Sequence, residues 1–481
     1  MPPTGEWSVT CSAQANRIFN PIRAVSDASH SSLSTKSLIK VSVGDPTLDE
    51  GYLPTSKVQQ AALQEAVNSC QYGGYRPAAG TDEARAAVAE YWKRYFVSTA
   101  ALKSHIVASH VVMTSGGSHA IQMAIASIAN PGDNILLPAP GFPHYTTIAV
   151  TYDIEQRYYN LDPEKNWEAN AEEIKSLCDA RTKLLVMTNP SNPCGSNFSR
   201  EHVELLVRTA EELKVPIFSD EIYAGMVFQH EENPNKTFVS VADVDTVVPR
   251  VILGGTAKSH LVPGWRIAWL LFVDPAGHGA DYFRGIHNDT SLLVGPNTLG
   301  QASLPAALLK TPSDYLPRVT AIIAESAMTF YHAINNGSIN ADPERRMLIA
   351  TRPQAAMYVM VRIVLEHFNP AVVRDDRTFS SKLFEEENVQ VVPGTAFHAP
   401  DCFRVVITRP DAVLEEAAQR MIEFCERHRS ENRLSPAEAK EEAADDAEDT
   451  KSENKAEAKE EAEHVEEATE ESEKKDIEDE L

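Results

Sequence analysis

Cysteine is scarce in this chain, and the few cysteines lie far apart. The 481 residues include six of them, at positions 11, 70, 178, 194, 402 and 425. No two have the spacing of a metal-binding motif or of a compact disulfide framework. The pattern therefore excludes a disulfide-stapled secreted domain and a cysteine-based metal site, and it indicates reduced thiols in a reducing compartment.

Long apolar runs are missing as well. No stretch approaches the roughly 20 consecutive apolar residues that span a bilayer. The first residues of the chain also lack the apolar core of a secretory signal and the arginine-rich face of a transit peptide. We therefore expect a cytoplasmic protein that has no membrane partner.

Positive charge is in short supply, because 44 Lys and Arg residues face 69 Asp and Glu residues. Nucleic-acid binding needs a basic excess, so we expect no nucleic-acid partner. Residues 431–481 carry 22 acidic and 7 basic residues and no aromatic residue. Such a segment cannot bury enough apolar surface to fold alone, which predicts a disordered or transiently helical tail. It serves either to solubilise the protein or to dock a basic partner.

One lysine stands in a chemically informative position. The apolar stretch from Val251 to Leu253 leads through two glycines to Lys258, and Arg266 follows eight residues later. A lysine amine can condense with an aldehyde, and an arginine fork can bind a phosphate with two hydrogen bonds. The pair therefore indicates a site for pyridoxal 5'-phosphate. Taken alone, the segment also fits a surface lysine in a turn and an arginine in a salt bridge.

Two further segments end apolar strands with polar groups that such a cofactor needs. Asp220 follows the stretch Val215–Ile217, and a buried carboxylate there can keep a pyridine nitrogen protonated. Tyr223, three residues later, could reach the phenolic oxygen of the cofactor. Asn192 lies in a rigid turn with two Asn-Pro steps and could contact the same oxygen. An acidic loop and a purely structural turn are the alternatives.

A glycine-rich turn is the fourth segment of the expected cofactor site. Ser115, Gly116 and Gly117 follow the apolar stretch Val111–Met113 and precede a helix expected to run to about Asn130. Small residues let backbone N–H groups approach a phosphate at the positive end of a helix dipole. Turns of this kind are common, so this segment indicates a phosphate site only in combination with the other three segments.

The four segments, in this order and each at a strand end, resemble the fold-type I aminotransferases of the aspartate aminotransferase superfamily. Within that superfamily, residues 20–23, 44–47, 189–196, 219–223 and 262–266 are similar to the tyrosine aminotransferases. Residues 141–145, 224–228 and 254–258 look most like their trypanosomatid branch. The resemblance covers about residues 17 to 428.

This resemblance implies roles around the cofactor. Lys258 would form the internal aldimine and carry the proton between the substrate α-carbon and the cofactor. Asp220 would pair with the pyridinium, while Asn192 and Tyr223 would hold the phenolic oxygen. Phe142 would stack on the ring. Ser115, Gly116 and Arg266 would bind the phosphate.

The resemblance also implies contacts beyond the cofactor. Tyr75 would reach the phosphate in a neighbouring subunit, so the expected assembly is a homodimer. Arg404 would take the substrate α-carboxylate in a bidentate pair, with help from Asn192 and the backbone at Gly44. Arg23 and Arg284 are candidates for a second substrate carboxylate. A strand-borne arginine is otherwise usually a surface ion-pair partner.

The chain departs from the family pattern at four places. Gly255 replaces a hydroxyl residue that many superfamily members use on the phosphate, and Ala268 stands where glycine is usual. Asn297 occupies a position where cysteine is common, and Ala355 replaces another glycine. None of these changes removes a catalytic group. A methyl group at Ala268 or Ala355 could tighten the backbone near the site.

We expect an α/β fold with a large, mostly parallel sheet and a smaller α/β domain. The predicted parts are an N-terminal arm (1–40), a small domain (41–65 and 315–430), a large cofactor-binding domain (66–314) and the tail (431–481). The implied reaction moves the amino group of tyrosine, other aromatic amino acids or methionine to a 2-oxoacid such as pyruvate or 2-oxoglutarate. A same-fold lyase that uses pyridoxal phosphate and a non-catalytic dimeric scaffold are the alternatives.

Overall fold

The computed structural model of the chain describes residues 9–27, 34–229 and 237–430. The predicted acidic tail lies outside the described residues, as do parts of the predicted N-terminal arm. Among the residues described, no helix is both long enough and apolar enough to cross a membrane.

The strands, in chain order, are β1 (Ile39–Lys40), β2 (Val111–Thr114), β3 (Asn134–Ala139), β4 (Glu155–Asp162), β5 (Glu168–Ala169), β6 (Thr182–Thr188), β7 (Ile217–Asp220), β8 (Arg250–Gly255), β9 (Ala268–Val273), β10 (Leu348–Ala350), β11 (Tyr358–Ile363), β12 (Val389–Gln390), β13 (Val392–Pro393) and β14 (Cys402–Val406). The helices are α1 (Ala13–Asn16), α2 (Pro21–Asp27), α3 (Lys57–Ser69), α4 (Asp82–Tyr95), α5 (Ala100–Ser104), α6 (Gly117–Ala126), α7 (Pro143–Thr151), α8 (Ala171–Leu177), α9 (Arg200–Leu213), α10 (Thr256–Ser259), α11 (Ala280–Leu293), α12 (Thr298–Lys310), α13 (Tyr315–Asn335), α14 (Asp376–Glu387) and α15 (Asp411–Arg427).

The larger sheet has the strand order β2-β9-β8-β7-β6-β3-β4-β5. Neighbours from β8 to β4 run parallel, β9 is antiparallel to both of its neighbours, and β5 is antiparallel to β4. Strands β2, β3, β6, β7, β8 and β9 are buried almost throughout, because helices cover both faces of the sheet. The mostly parallel α/β fold that the sequence predicts is therefore confirmed.

This topology sets one edge of the sheet apart. Since β2 and β8 are both antiparallel to β9, the carboxyl ends of β2, β3, β6, β7 and β8 all open at the same edge. In open α/β sheets this edge is where ligands bind. Each of the four predicted cofactor segments follows one of these strands.

A second sheet, ordered β10-β11-β14-β13, forms the smaller lobe together with the short parallel pair β1–β12. Its apolar core is built around Phe330, Val359, Phe379, Phe403 and Phe424, which are all fully buried. Helices α13 and α15 pack against each other in this lobe. Strand β14 lies inside the sheet, so a charged residue on it is buried rather than exposed.

Element boundaries agree with the sequence expectations to within a few residues, with two informative differences. Helix α6 ends at Ala126 and not near Asn130, and the chain turns again at Pro131 and at Gly132, whose φ is +88°. Lys258 lies in the single helical turn α10 and not in an irregular turn. The first backbone N–H groups of such a turn point toward its N-terminus, which lies here at the end of β8.

Candidate active site

A cavity of about 230 Å³ lies where the carboxyl edge of the large sheet meets the smaller lobe. Nine of the predicted site residues line it: Gly44, Gly117, Phe142, Asn192, Asp220, Tyr223, Lys258, Arg266 and Arg404. These residues come from seven separate segments, so the fold brings together what the sequence keeps far apart. A larger apolar cavity of about 680 Å³ behind α2 contains none of the predicted residues. Cavity size alone would therefore misplace the site.

Lys258 projects from α10, directly after β8, and is half-buried. Its Nζ donates to the backbone oxygen of Gly44 at 2.5 Å and lies 5.8 Å from the centre of the Tyr223 ring. The contact with Gly44 joins the two lobes across the cavity. It also holds the amine inside the cavity.

Asp220 ends β7 and is almost completely buried, with 4% of its surface exposed. Its Oδ2 accepts from the Tyr145 hydroxyl at 2.7 Å, and its Oδ1 accepts from the Ile222 N–H at 3.1 Å. Burial raises the pKa of the Asp220 carboxyl to about 6, although both hydrogen bonds act in the opposite direction. A cationic partner such as a pyridinium would favour the ionised form.

Replacing Asp220 with asparagine is expected to stabilise the cofactor-free protein at about pH 8. The carboxyl ionises near its ordinary pKa of 3.8 in the unfolded chain and near 6 in the folded chain. Stability is therefore lost as the pH rises through this interval, by about 3 kcal/mol for a gap of about two units. Asparagine keeps the acceptor for Tyr145 and carries no charge.

Urea unfolding of both proteins at about pH 8 and about pH 4 measures this effect. The stabilisation should be present at the higher pH and absent at the lower one. Asp281→Asn, at a site that is 81% exposed, is the matched control and should change neither value. An equal difference at both pH values would show that the Asp220 charge is not the cause.

Sequence reasoning missed two residues that support Asp220. Tyr145 donates to the carboxylate, and its hydroxyl also lies 2.9 Å from Thr188 Oγ1 at the end of β6. Tyr145 is buried because α7 places it against β7, where its ring meets Phe218 edge-on. The signal available in the sequence was its place three residues after Phe142, which begins the same helix.

The predicted phosphate corner is formed by the turn after β2 and by Arg266. Gly116 has a φ of +78°, which favours glycine, and a Cβ atom there would lie 2.5 Å from the Arg266 guanidinium. Arg266 Nη2 lies 3.5 Å from the Ser115 oxygen, a long contact that an anion could replace. The N–H groups that begin α6 at Gly117 face the same corner. These features fit a phosphate.

Arg404 on β14 is buried, with 1% of its surface exposed. Its Nη1 donates to Asn192 Oδ1 at 2.9 Å and its Nη2 to the Ser42 oxygen at 2.6 Å, while Nε has no partner among the described residues. The guanidinium also lies over the rings of Tyr358 and Phe397, at 4.5 and 4.7 Å. Burial lowers the pKa of Arg404. A carboxylate would complete this fixed, desolvated cation.

Two tyrosines meet beside Arg404. The hydroxyls of Tyr223 and Tyr358 are 2.6 Å apart, and burial raises the pKa of Tyr223 well above its ordinary value. Tyr358 begins β11 and was not predicted as a site residue. The Oδ1 of Asn192 accepts a hydrogen bond from Arg404. Its Nδ2 is therefore the group that can donate to a ligand oxygen.

Five predicted residues are absent from the cavity lining. Ser115 and Gly116 lie in the turn after β2, beside Arg266, and the other three lie on the surface. Tyr75 is 92% exposed, and Arg284 is exposed and ion-paired with Asp281. Arg23 is exposed on α2, although its neighbour Ile22 lines the cavity. The cations that do line the cavity, among the residues described, are Lys258, Arg266 and Arg404.

The departures from the family pattern have local explanations. A Cβ atom at Gly255 would lie 3.0 Å from the Ala268 Cβ across the β8–β9 pair, so the two small residues fit each other. Asn297 caps α12, since its Oδ1 accepts from the Gly300 N–H at 3.2 Å. The Ala355 N–H donates to the Gly195 oxygen at 2.9 Å and thereby holds the turn that carries Asn192.

Together these groups fit pyridoxal phosphate. Asp220 and Tyr145 provide a buried acid for the ring nitrogen, and the Gly116–Arg266 corner provides a cradle for the phosphate. Lys258 supplies an amine between them.

The chain is similar to aminotransferases along most of its length. Residues 36–421 match the family described as aminotransferase class I and II. Tyrosine aminotransferase of Mus musculus is 39% identical over 424 residues, 88% of each chain. Tyrosine aminotransferase from Leishmania infantum has a crystal structure that matches with a TM-score of 0.82 at 39% identity, over 89% of this chain and all of that one. A more distant relative, the S-alkyl-thiohydroximate lyase of Arabidopsis thaliana, is 30% identical over 82% of this chain and 81% of its own.

The resemblance predicted from the sequence is therefore confirmed. The matched region includes both lobes and every segment that lines the cavity, except for part of the arm. On the strength of this match and of the site that it contains, the chain belongs to the class I and II aminotransferases, which depend on pyridoxal phosphate.

Proposed function

We propose that this enzyme moves the amino group of tyrosine, of other aromatic amino acids and of methionine to a 2-oxoacid such as pyruvate or 2-oxoglutarate. One observation carries the proposal: Lys258 Nζ donates to the Gly44 oxygen, and Arg404 Nη2 donates to the Ser42 oxygen two residues earlier. The same short segment thus fixes the amine and the proposed carboxylate anchor at a set separation. An amino acid held by Arg404 would present its α-carbon to Lys258.

Each proposed role follows from a contact described above. Bound pyridoxal phosphate supplies an aldehyde for the amine and a ring that withdraws electrons from the α-carbon. Arg404 holds the α-carboxylate, and Asp220 keeps the ring nitrogen protonated. Lys258 would take the proton from the α-carbon of the bound amino acid at its Nζ and hold it for return on the cofactor side. Phe142, Asn192 and Tyr223 orient the ring, and Ser115, Gly116, Gly117 and Arg266 bind its phosphate.

The lining supports aromatic donors. Ile22, Ile121 and Ile222 contribute apolar surface to the cavity, and Tyr223 and Tyr358 contribute aromatic edges. The cations in the lining, among the described residues, are Lys258, Arg266 and Arg404, and each has a proposed partner. A second carboxylate on the amino donor would therefore meet no further cation in the described lining, which favours aromatic and apolar donor side chains.

Rates for a panel of amino donors, each paired with several 2-oxoacids, test the proposal. We expect tyrosine and phenylalanine to have a higher kcat/KM than aspartate, with one 2-oxoacid consumed for each donor. A same-fold lyase would instead release an eliminated fragment without consuming a 2-oxoacid. The similarity to the S-alkyl-thiohydroximate lyase supports this alternative. Release of such a fragment at a higher rate than transamination would overturn the proposal.

We also propose a homodimer, with Tyr75 reaching the phosphate in the partner's site. Tyr75 is exposed in the single chain. Two apolar residues, Leu292 and Val294, are also exposed, by 78% and 54% of their surface. Thr298 Oγ1 donates to the Tyr72 oxygen at 2.6 Å and so links the two exposed segments. Sedimentation equilibrium should give twice the mass of one chain, and a monomer would refute the assembly.

The domain limits given by the sequence stay proposals: an arm to residue 40, a small domain of 41–65 and 315–430, and a large domain of 66–314. The contact of α3 with α12 crosses the boundary at residue 65.

We propose the cytoplasm as the compartment, because all six cysteines are free thiols. Cell fractionation would decide this point.

A further inference from the structure

Helix α2 separates two cavities. Ile22 lines the active-site cavity, whereas Pro21, Ala24 and Val25 line the larger apolar cavity of about 680 Å³ behind the helix. An empty volume on that side means that α2 lacks packed side chains to hold it in place. Hydrogen bonds that reach α2 from other elements therefore contribute to its position over the active site.

One of these contacts is a buried glutamine from the smaller lobe. Gln390 ends β12 and is 6% exposed, and its Nε2 donates to the Val25 oxygen on α2 at 2.9 Å. Its Oε1 accepts from the Ser42 hydroxyl at 2.9 Å. A backbone oxygen can only accept a hydrogen bond. The side-chain NH2 group of Gln390 must therefore face the Val25 oxygen, and its Oε1 must face the Ser42 hydroxyl.

The same glutamine is joined to the proposed substrate anchor. Its backbone oxygen accepts from the Val41 N–H at 3.1 Å, and the Ser42 oxygen accepts from Arg404 Nη2 at 2.6 Å. Two residues further on, the Gly44 oxygen accepts from Lys258. Gln390 thus links α2 to the short segment that contacts both charged groups of the site.

We propose that Gln390 is a positioning residue that holds α2, and with it Ile22, over the active-site cavity. It touches neither substrate nor cofactor. Loss of its side chain should free α2, while the hydrogen bonds to the backbone oxygens of Gln390, Ser42 and Gly44 stay in place and keep Arg404 and Lys258 positioned. The amino acid substrate should then bind more weakly, while the chemical step continues at nearly the same rate. The substrate part of this inference rests on the function proposed above.

Three variants test the proposal in the full-length holoenzyme. Gln390→Met keeps the length of the side chain and removes both hydrogen bonds, and Gln390→Glu places a carboxylate oxygen against the Val25 oxygen. Ile22→Ala removes the group that α2 contributes to the cavity. Asn335→Met is the matched control, because Asn335 makes a similar pair of hydrogen bonds to the backbone of Ala350 in the same lobe.

We expect Gln390→Met to raise the KM for tyrosine on the order of fivefold, with kcat changed less than about twofold, because, of its two lost hydrogen bonds, only the one to the Val25 oxygen holds α2. Gln390→Glu should raise KM further. In the Ile22→Ala background, Gln390→Met should add less than about twofold, because both changes act through α2. Asn335→Met should lower thermal stability and leave KM unchanged.

Hydrogen–deuterium exchange in the cofactor-free protein separates this inference from the proposed function. Exchange at the amides of residues 21–27 should be faster in both Gln390 variants and unchanged in Asn335→Met. Unchanged exchange, or a KM effect that is equally large with and without Ile22, would overturn the role of Gln390. If the wild-type enzyme does not use tyrosine, the function fails, and the exchange result alone then decides the inference. Should Gln390→Met not fold, Gln390→Glu carries the same readouts.

Discussion

Replacing Lys258 with alanine is expected to abolish transamination. The amine is the one basic group that α10 places beside the Gly44 oxygen, at the centre of the cavity. Alanine removes both the attachment point for pyridoxal phosphate and the group that moves the proton. Loss of a general acid and base alone lowers rates on the order of a hundredfold or more. Steady-state and single-turnover rates measure the loss, and visible absorbance of the purified protein should disappear with it.

Lys382→Ala is the matched control for this experiment. Lys382 lies on α14 in an ion pair with Glu385, away from the cavity. It should keep both the colour and the rate of the parent enzyme. Near-normal turnover by the Lys258 variant, with the control unaffected, would show that another group does the chemistry.

Replacing Arg404 with lysine is expected to lower kcat/KM by about a hundredfold for every amino donor. Lysine preserves the charge, but it cannot donate through two parallel N–H groups to a carboxylate while it also satisfies Asn192 and the Ser42 oxygen. Every donor carries an α-carboxylate, so the loss should not depend on the side chain. Charged hydrogen bonds of this kind contribute about 1.5–3 kcal/mol each.

Arg362→Lys serves as the control, because Arg362 is exposed on the neighbouring strand β11. It should leave kcat/KM unchanged for tyrosine and for alanine. A selective loss of tyrosine activity in the Arg404 variant, with alanine turnover preserved, would assign Arg404 to the substrate side chain instead.

Much of the fold and the location of the site could be predicted because the informative residues follow short apolar strands. Asp220 ends β7, Lys258 follows β8, and Gly116 follows β2. Carboxyl ends of parallel strands meet at one edge, so a local pattern was enough to place these residues together. The roles given to them remain predictions for the experiments above.

The supporting contacts could not be predicted in the same way. Tyr145 meets Asp220 across 75 residues of sequence, Tyr223 meets Tyr358 across 135, and Gln390 meets Val25 across 365. These partners are chosen by packing between elements, which leaves no periodic or local mark in the chain. Helix ends such as Ala126 were also misplaced, because the turn that follows a helix decides where it stops.

The fit of Gly255 against Ala268 couples two positions of this site. A serine at position 255 would place its Cβ 3.0 Å from the methyl group of Ala268 and 2.9 Å from Ile222 Cδ1. Glycine at position 268 would remove the first of these contacts, and rotation of the Ile222 side chain would relieve the second. A hydroxyl residue at position 255 is therefore expected to be tolerated better with glycine than with alanine at position 268, although neither position is catalytic.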